Sequence, residues 1–153
     1  MSVRIHIDGA LPRLLGLSRP RLKSAAIAFA AAAERLAKTP FREVTIVLQE
    51  DSASDAAHRA ILNVAGATDV ITQRYEPIAG EEPGVYGELY VNCCEALRKA
   101  PKSKAWSPAK ELLLYVAHGF DHLAGSDDLT AAQYRRMRSR ELRWLNRWLK
   151  ENP

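Results

Sequence analysis

The sequence contains few of the features that mark a secreted or membrane-spanning protein. Only two of its 153 residues are cysteines, Cys93 and Cys94, and neighbouring residues rarely reach disulfide geometry without strain. We interpret both as small apolar side chains in a reducing compartment. No apolar run approaches the ~20 residues of a transmembrane helix, and residues 1–10 lack the basic and apolar segments of a secretory signal. These absences predict a cytoplasmic protein.

The composition is that of an ordinary globular domain. Hydrophobic residues make up 47% of the chain and charged residues 26%, which excludes wholesale disorder. A length of 153 residues suits one domain with a buried core, so we expect a single domain over residues 1–153. The net charge of +4 permits a nucleic-acid partner without requiring one.

Positive charge is concentrated in the last predicted helix, at about residues 130–150. Residues 131–153 contain seven Arg and Lys side chains against two Glu, whereas residues 1–130 contain 15 basic and 16 acidic side chains. Four arginines recur along one side of this helix, where they either follow RNA phosphates or form a solvated basic face: Arg136, Arg140, Arg143 and Arg147. A second basic segment has the same two interpretations and contains Lys99, Lys102 and Lys104.

Hydrophobic periodicity predicts an α/β (α+β) fold in which a single layer of about four strands packs with helices. The predicted strands are residues 2–8, 43–49, 68–73 and 87–92. The predicted helices are residues 21–38, a short one capped by Ser52 or Ser54, 94–100, one that starts with a Ser107 cap followed by Pro108 and ends at Gly125, and about 130–150. Thr130 and Gln133 form a capping-box pair for the last helix. Its apolar stripe is expected to pack on the core and contains Tyr134, Met137, Leu145 and Trp148.

The fourth predicted helix contains a candidate metal site. His118 and His122 are four residues apart, so both imidazoles project from one face and can bind one ion. Gly125 ends the helix three residues later, which lets the chain turn back and present Asp127 or Asp128. Two histidines and one carboxylate leave coordination positions for water or substrate, as in catalytic zinc sites. A histidine pair at this spacing also arises by chance.

The residue after the first histidine distinguishes this site from that of a metallopeptidase. In H-E-x-x-H enzymes a glutamate follows the first histidine and acts as general base, whereas Gly119 occupies that position here. We interpret Asp121 as a solvated helix carboxylate, with hydrogen bonding to a histidine as the alternative. Asp69, Glu88 and Glu95 are expected to be structural.

The segment H-G-x-x-H-x-x-G-x-x-D resembles the metal motif of the YbeY family of endoribonucleases. The matching residues are His118, Gly119, His122, Gly125 and Asp128. Residues 68–72 (TDVIT), 87–89 (GEL) and 95–96 (EA) match further blocks of the family in the same order. Two positions depart from the family pattern. The third ligand is usually histidine and here is Asp128, and an arginine expected before TDV falls at Leu62.

The resemblance implies metal-dependent cleavage of single-stranded RNA, with Zn²⁺ held by His118, His122 and Asp128. It also implies a role in maturing the three-prime end of small-subunit rRNA and in ribosome quality control, with the small ribosomal subunit as partner. One alternative is a metallopeptidase or other metal hydrolase. Another is a ribosome-binding module with weakened catalysis, which the departures at Leu62 and Asp128 would favour.

Overall fold

The computed structural model describes residues 2–100 and 105–153, so Lys102 and Lys104 of the second basic segment lie outside the described residues. Within these residues the chain forms four strands and five α-helices in the predicted order. The strands are β1 (Arg4–Asp8), β2 (Phe41–Gln49), β3 (Val70–Tyr75) and β4 (Val85–Asn92). The helices are α1 (Arg19–Ala37), α2 (Asp51–Leu62), α3 (Cys93–Lys99), α4 (Pro108–Leu123) and α5 (Ala131–Glu151). A short 3-10 helix, Arg13–Leu15, lies where the sequence predicts a loop.

The four strands form one mixed sheet in the order β1-β2-β4-β3. Strands β1, β2 and β4 are parallel, and β3 runs antiparallel to β4 at the other edge. Helices separate the parallel strands along the chain, as a parallel connection requires, whereas β3 and β4 are joined by residues 76–84 alone. The predicted α+β architecture with a single four-stranded layer is confirmed.

Helix α4 lies at the centre of the fold, in contact with α1, α3, α5 and the two strands β3 and β4. Ten of its 16 residues are buried, which explains why its sequence is apolar around most of its circumference. Phe120 of α4 packs near Phe41 of β2, with ring centroids 6.3 Å apart. The burial of such large side chains stabilises the fold by roughly 1.5–3 kcal/mol each and fixes the rotation of α4 over the sheet.

Two glycines bring α4 close to β4. A Cβ atom on Gly119 would lie 2.7 Å from a methyl carbon of Leu89, and one on Gly87 would lie 2.6 Å from a methyl carbon of Leu123. Both separations are shorter than carbon atoms tolerate. His118 lies one position earlier, about 100° around the helix, and its ring contacts Glu141 of α5.

Most of the predicted helix caps are confirmed. Ser107 Oγ accepts a hydrogen bond from the Lys110 amide at the start of α4. At the start of α5, Thr130 and Gln133 form the reciprocal capping box. The cap predicted for α2 is wrong, because that helix begins at Asp51 without a side-chain cap. Ser54 is instead buried and hydrogen-bonded to the backbone of Thr68.

The apolar stripe of α5 packs as predicted except at its first member. Met137, Leu145 and Trp148 are buried, whereas Tyr134 is 44% exposed. Tyr134 lies in the first turn of α5, and its hydroxyl accepts a hydrogen bond from the Arg138 guanidinium. A tyrosine can keep its polar end in water in this way, so the expected core position is corrected to a partly solvated one.

Both cysteines are free thiols, Cys93 buried and Cys94 half-buried. Burial raises the pKa of the Cys93 thiol to about 11, so this side chain behaves as a small apolar residue. Across the described part of the chain, no helix combines the length and the apolar character needed to cross a bilayer.

Candidate metal centre

The turn after α4 brings a carboxylate back to the two histidines. Beyond Leu123 the chain closes a Schellman-type turn, in which the Gly125 amide donates to His122 O at 2.9 Å and the Ser126 amide donates to Asp121 O at 3.2 Å. Gly125 has a φ of 99°, a conformation that glycine adopts without strain. Of the two aspartates left open by the sequence, Asp128 reaches the histidines, whereas Asp127 is exposed and stands outside the group.

The candidate ligand atoms form a small triangle. His118 Nε2 and His122 Nε2 are 3.1 Å apart, and Asp128 Oδ2 lies 3.3 Å from each of them. In a tetrahedral site with metal–ligand distances near 2.0 Å, two ligand atoms are about 3.3 Å apart. The three atoms therefore have the spacing of one face of such a site, and the fourth position would remain for water or substrate.

His118 Nδ1, the ring nitrogen that faces away from the ligand triangle, is hydrogen-bonded to a buried carboxylate. His118 Nδ1 lies 2.8 Å from Glu141 Oε2, and Glu141 on α5 is fully buried. Burial lowers the pKa of His118, but the hydrogen bond and charge of Glu141, together with the charges of Asp69 and Asp128, outweigh it, so the pKa is raised overall. A carboxylate accepts a proton from Nδ1, fixes the ring orientation and makes the opposite nitrogen a stronger ligand.

The second nitrogen of His122 is held by the turn itself, since Nδ1 lies 2.9 Å from the backbone oxygen of Ser126. A backbone carbonyl can only accept a hydrogen bond, so Nδ1 carries the proton and Nε2 has a free lone pair. When His118 is neutral and its Nδ1 proton is donated to Glu141, its Nε2 has a free lone pair as well. The three converging acceptor atoms then repel one another unless a proton or a cation lies among them, and this donor set fits a bound metal.

A buried ion pair supports the turn from beneath. The Asp121 carboxylate is fully buried and accepts hydrogen bonds from Ser126 Oγ at 2.6 Å and from Arg140 Nη2 at 2.8 Å. Arg140 also donates to Ser126 Oγ at 3.0 Å. The interpretation of Asp121 as a solvated carboxylate is therefore wrong. The carboxylate contacts neither histidine ring directly, and it orients His122 through Ser126.

The four arginines of the predicted row differ in their surroundings. Arg140 is directed inward to Asp121, and its side chain is only 17% exposed. Arg136, Arg143 and Arg147 are exposed. Arg143 donates a hydrogen bond to Ser139 Oγ, and Arg147 pairs with Glu151. Three of the four guanidinium groups are thus open to a polyanion, and RNA binding by the row stays a prediction.

Glu141 is the residue of the site that sequence reasoning missed. It lies 23 residues from His118 in the chain, so no local spacing connects the two. A signal does exist, because Glu141 falls between Met137 and Leu145 in the apolar stripe of α5. A charged residue within such a stripe is rarely buried unless it has a partner.

Other residues singled out from the sequence do not belong to the ligand group. Asp69 Oδ1 accepts a hydrogen bond from the Val70 amide at the start of β3, consistent with a structural role. Glu88 accepts one from the Tyr75 hydroxyl, and Glu95 pairs with Arg98. Leu62, where the family pattern calls for an arginine, is 53% exposed at the end of α2.

Comparison of this chain with known proteins shows the family to which it belongs. The family model described as Endoribonuclease YbeY matches residues 19–149. The chain belongs to the YbeY family. An endoribonuclease YbeY of Rhodopirellula baltica is 36% identical over 129 residues, which cover 84% of this chain and 63% of that protein. One from Moorella thermoacetica is 32% identical over 120 residues, covering 73% and 75%.

The solution structure of a Thermotoga maritima protein has a similar fold to this YbeY-family chain. The two match with a TM-score of 0.56 and 25% sequence identity, over 97% of this chain and 90% of the other. Against the Rhodopirellula baltica YbeY, this chain spans just under two thirds of the relative's length.

Proposed function

We propose that the protein is a metal-dependent endoribonuclease that cleaves single-stranded RNA, as the resemblance to the YbeY family implies. The observation that carries the proposal is the convergence of His118 Nε2, His122 Nε2 and Asp128 Oδ2 within 3.1–3.3 Å of one another. The names of the relatives in the same family supply the reaction class. The substrate in the cell would be the precursor of small-subunit rRNA, in the cytoplasm.

Zn²⁺ is the ion we propose for the site. Two imidazole nitrogens and one carboxylate oxygen form a ligand set that zinc accepts, with an open position. When bound, such an ion lowers the pKa of a coordinated water toward ~7 and polarises a phosphoryl oxygen. The chain itself holds the ligands in register: Glu141 orients the ring of His118, and the Ser126 carbonyl orients that of His122.

The RNA partner would approach from the side of α5. Arg136, Arg143 and Arg147 are exposed on this helix, and arginines along one face of a helix can contact successive phosphates. We assign these three to RNA or small-subunit contact, with Arg140 committed to Asp121. Replacing the three with glutamine should weaken RNA binding and flatten its salt dependence.

Metal analysis combined with an RNA cleavage assay tests the proposal. Purified protein prepared with zinc should contain about one ion per chain and cleave a labelled single-stranded oligoribonucleotide. His122→Ala should lose both properties, because it removes one of three ligands. His6→Ala is the matched control, since His6 is exposed on β1, at the edge of the sheet opposite β3. Cleavage that survives His122→Ala, or a metal-free wild type, would reject the proposal.

The same assays separate the alternatives. A zinc-loaded protein that binds RNA or the small subunit without cleaving would favour the ribosome-binding module. A metallopeptidase is disfavoured by Gly119, because that position faces Leu89 of the sheet. A glutamate introduced there would point into the core, away from the histidines. Hydrolysis of a peptide substrate by the zinc-loaded protein would reverse this conclusion.

A further inference from the structure

A polar cleft of about 290 Å³ lies beside the candidate metal centre. Tyr115 lines it from α4, three residues before His118 and thus on the same face of the helix. Asp69 lines it from the sheet side, close enough for its charge to raise the pKa of His118. Arg138 of α5 forms part of the wall. A substrate strand in this cleft would therefore lie next to the proposed ion.

The acidic side chains of the cleft already have partners. Glu111 Oε1 accepts a hydrogen bond from Trp106 Nε1 at 2.7 Å. Glu95 pairs with the guanidinium of Arg98 at 3.2 Å. Asp69 accepts from the Val70 amide at 2.7 Å. The carboxylates thus have structural contacts, two of them to uncharged donors, and the lining residues that would meet an anionic ligand are Lys99 and Arg138.

Arg138 differs from these carboxylates because its charge is held in place but incompletely paired. Its guanidinium lies over the ring of Tyr134, 5.4 Å from the centroid, and Nη2 donates to the Tyr134 hydroxyl at 2.9 Å. Nε is buried and has no hydrogen-bond partner among residues 2–100 and 105–153. The nearest carboxylate oxygen to Nε is Glu141 Oε1, at 3.9 Å, too far for a hydrogen bond.

Glu141 connects this arginine to the metal centre. One oxygen of its carboxylate bonds His118 Nδ1 at 2.8 Å, and the other faces Arg138 Nε at 3.9 Å. A group bound by Arg138 is thereby fixed relative to the ligand triangle. Because Nε is buried, a phosphate would meet the Nη1 and Nη2 edge of the guanidinium, and the Arg138 side chain is 29% exposed. Two neighbouring N–H groups of this kind can bind a phosphate through two parallel hydrogen bonds.

We propose that Arg138 binds a phosphate of the RNA strand in this cleft and positions the strand against the metal centre. The inference rests on the proposed function, since it assigns a substrate contact to that site. Arg138 acts here as a positioning residue. The row formed by Arg136, Arg143 and Arg147 is separate from it, because Arg138 alone among these lines the cleft.

The test compares Arg138→Gln and Arg138→Lys with Arg135→Gln, which removes an exposed arginine of the same helix. Binding of a fluorescent single-stranded oligoribonucleotide is measured in excess chelator, so that cleavage does not interfere. Arg138→Gln should weaken binding about tenfold, the loss expected for a charge-assisted hydrogen bond. Arg138→Lys should recover part of this, since lysine keeps the charge without the planar fork. Arg135→Gln should change binding little.

Cleavage kinetics and zinc content distinguish positioning from a purely structural role. In the zinc-loaded protein, Arg138→Gln should raise KM and leave zinc content at the wild-type value. Reduced zinc with unchanged RNA affinity would overturn the inference, because Arg138 would then act only on Glu141. If Arg138→Gln fails to fold, Arg138→Lys decides: unchanged affinity and KM would also overturn it.

Failure of the proposed function would be visible separately. A wild type that binds the oligoribonucleotide but never cleaves it rejects the endoribonuclease activity, while the binding comparison still decides the role of Arg138. A wild type with no affinity for single-stranded RNA rejects both.

Discussion

Each histidine of the candidate metal centre is oriented by a hydrogen bond from its Nδ1 to an oxygen atom elsewhere in the chain. The spacing of His118 and His122, and a turn at Gly125 that returns Asp127 or Asp128, follow from helix geometry and were predictable. The choice of Asp128 rested on the resemblance to the YbeY family. Glu141 was not predictable, because its contact with His118 depends on how α5 crosses α4. The burial of Asp121 was not predicted for the same reason. A carboxylate on a helix is buried when a partner such as Arg140 on another helix pairs with it.

Glu141→Gln tests the orienting role of the buried carboxylate. Glutamine can still accept a hydrogen bond from His118 Nδ1, but it lacks the negative charge that strengthens the opposite nitrogen as a ligand. We expect zinc affinity to fall by about 10–100-fold, measured by competition with a chromophoric chelator. Glu151→Gln is the control, because Glu151 lies on the same helix and pairs with Arg147 at the surface. Equal affinities in all three proteins would contradict the role.

Sequence patterns located the four strands and five α-helices of the described residues, but they missed the 3-10 helix and some of the boundaries. The caps of α4 and α5 were predictable because Ser107-Pro108 and Thr130–Gln133 are local signals. The start of α2 was not, since Ser54 is taken by the Thr68 backbone from a later segment. The close approach of α4 to β4 was also hidden, because Gly119 and Leu89 are distant in the chain and meet only in the packed fold.

Gly119→Ala tests that close approach. The added methyl would lie 2.7 Å from Leu89 Cδ2, so Leu89 or α4 must move. We expect a loss of about 1–3 kcal/mol in the free energy of unfolding, measured by urea titration, together with weaker zinc binding if α4 moves. The double variant Gly119→Ala/Leu89→Ala should lose less than the sum of the two single variants. Strictly additive losses would show that the two positions do not contact each other.

Considered as a whole, the molecule is a nearly neutral body with a basic last helix, which the charge count alone predicted. The structure refines this, because Arg140 forms an ion pair with the buried Asp121. The exposed positive charge of the helix comes from its remaining arginines. The order of elements along the chain was also predictable. The order β1-β2-β4-β3 across the sheet was not, because pairing between distant strands depends on the helices packed between them rather than on local pattern.

Acid stability of the whole fold should depend on the contact between α2 and α3. Hydrogen bonds from Arg98 and Asn92 lower the pKa of Asp51 to about 2, from an ordinary value of 3.8. Because the pKa of Asp51 is lower in the folded protein, its ionised carboxylate stabilises the fold at pH values above the ordinary pKa. This stabilisation is lost as the pH falls from about 4 to about 2. Asp51→Asn should therefore unfold at lower urea than wild type at pH 6, with the gap closing by pH 2.

Arg98→Gln provides the control for this prediction. Because Arg98 is the main partner of Asp51, the variant should show the same reduced acid dependence. The double variant Asp51→Asn/Arg98→Gln should add little further loss. A constant gap between Asp51→Asn and wild type from pH 6 to pH 2 would show that this carboxylate does not contribute to the acid response.

The division of the metal centre between two helices has a consequence for how the protein comes into being. A ribosome makes α4 before α5, so a growing chain displays both histidines before the carboxylate that orients one of them exists. The orientation of His118 by Glu141 must wait until α5 has left the ribosome and docked. Under the proposed function, a nascent chain would acquire its fully oriented site only after α5 has been made.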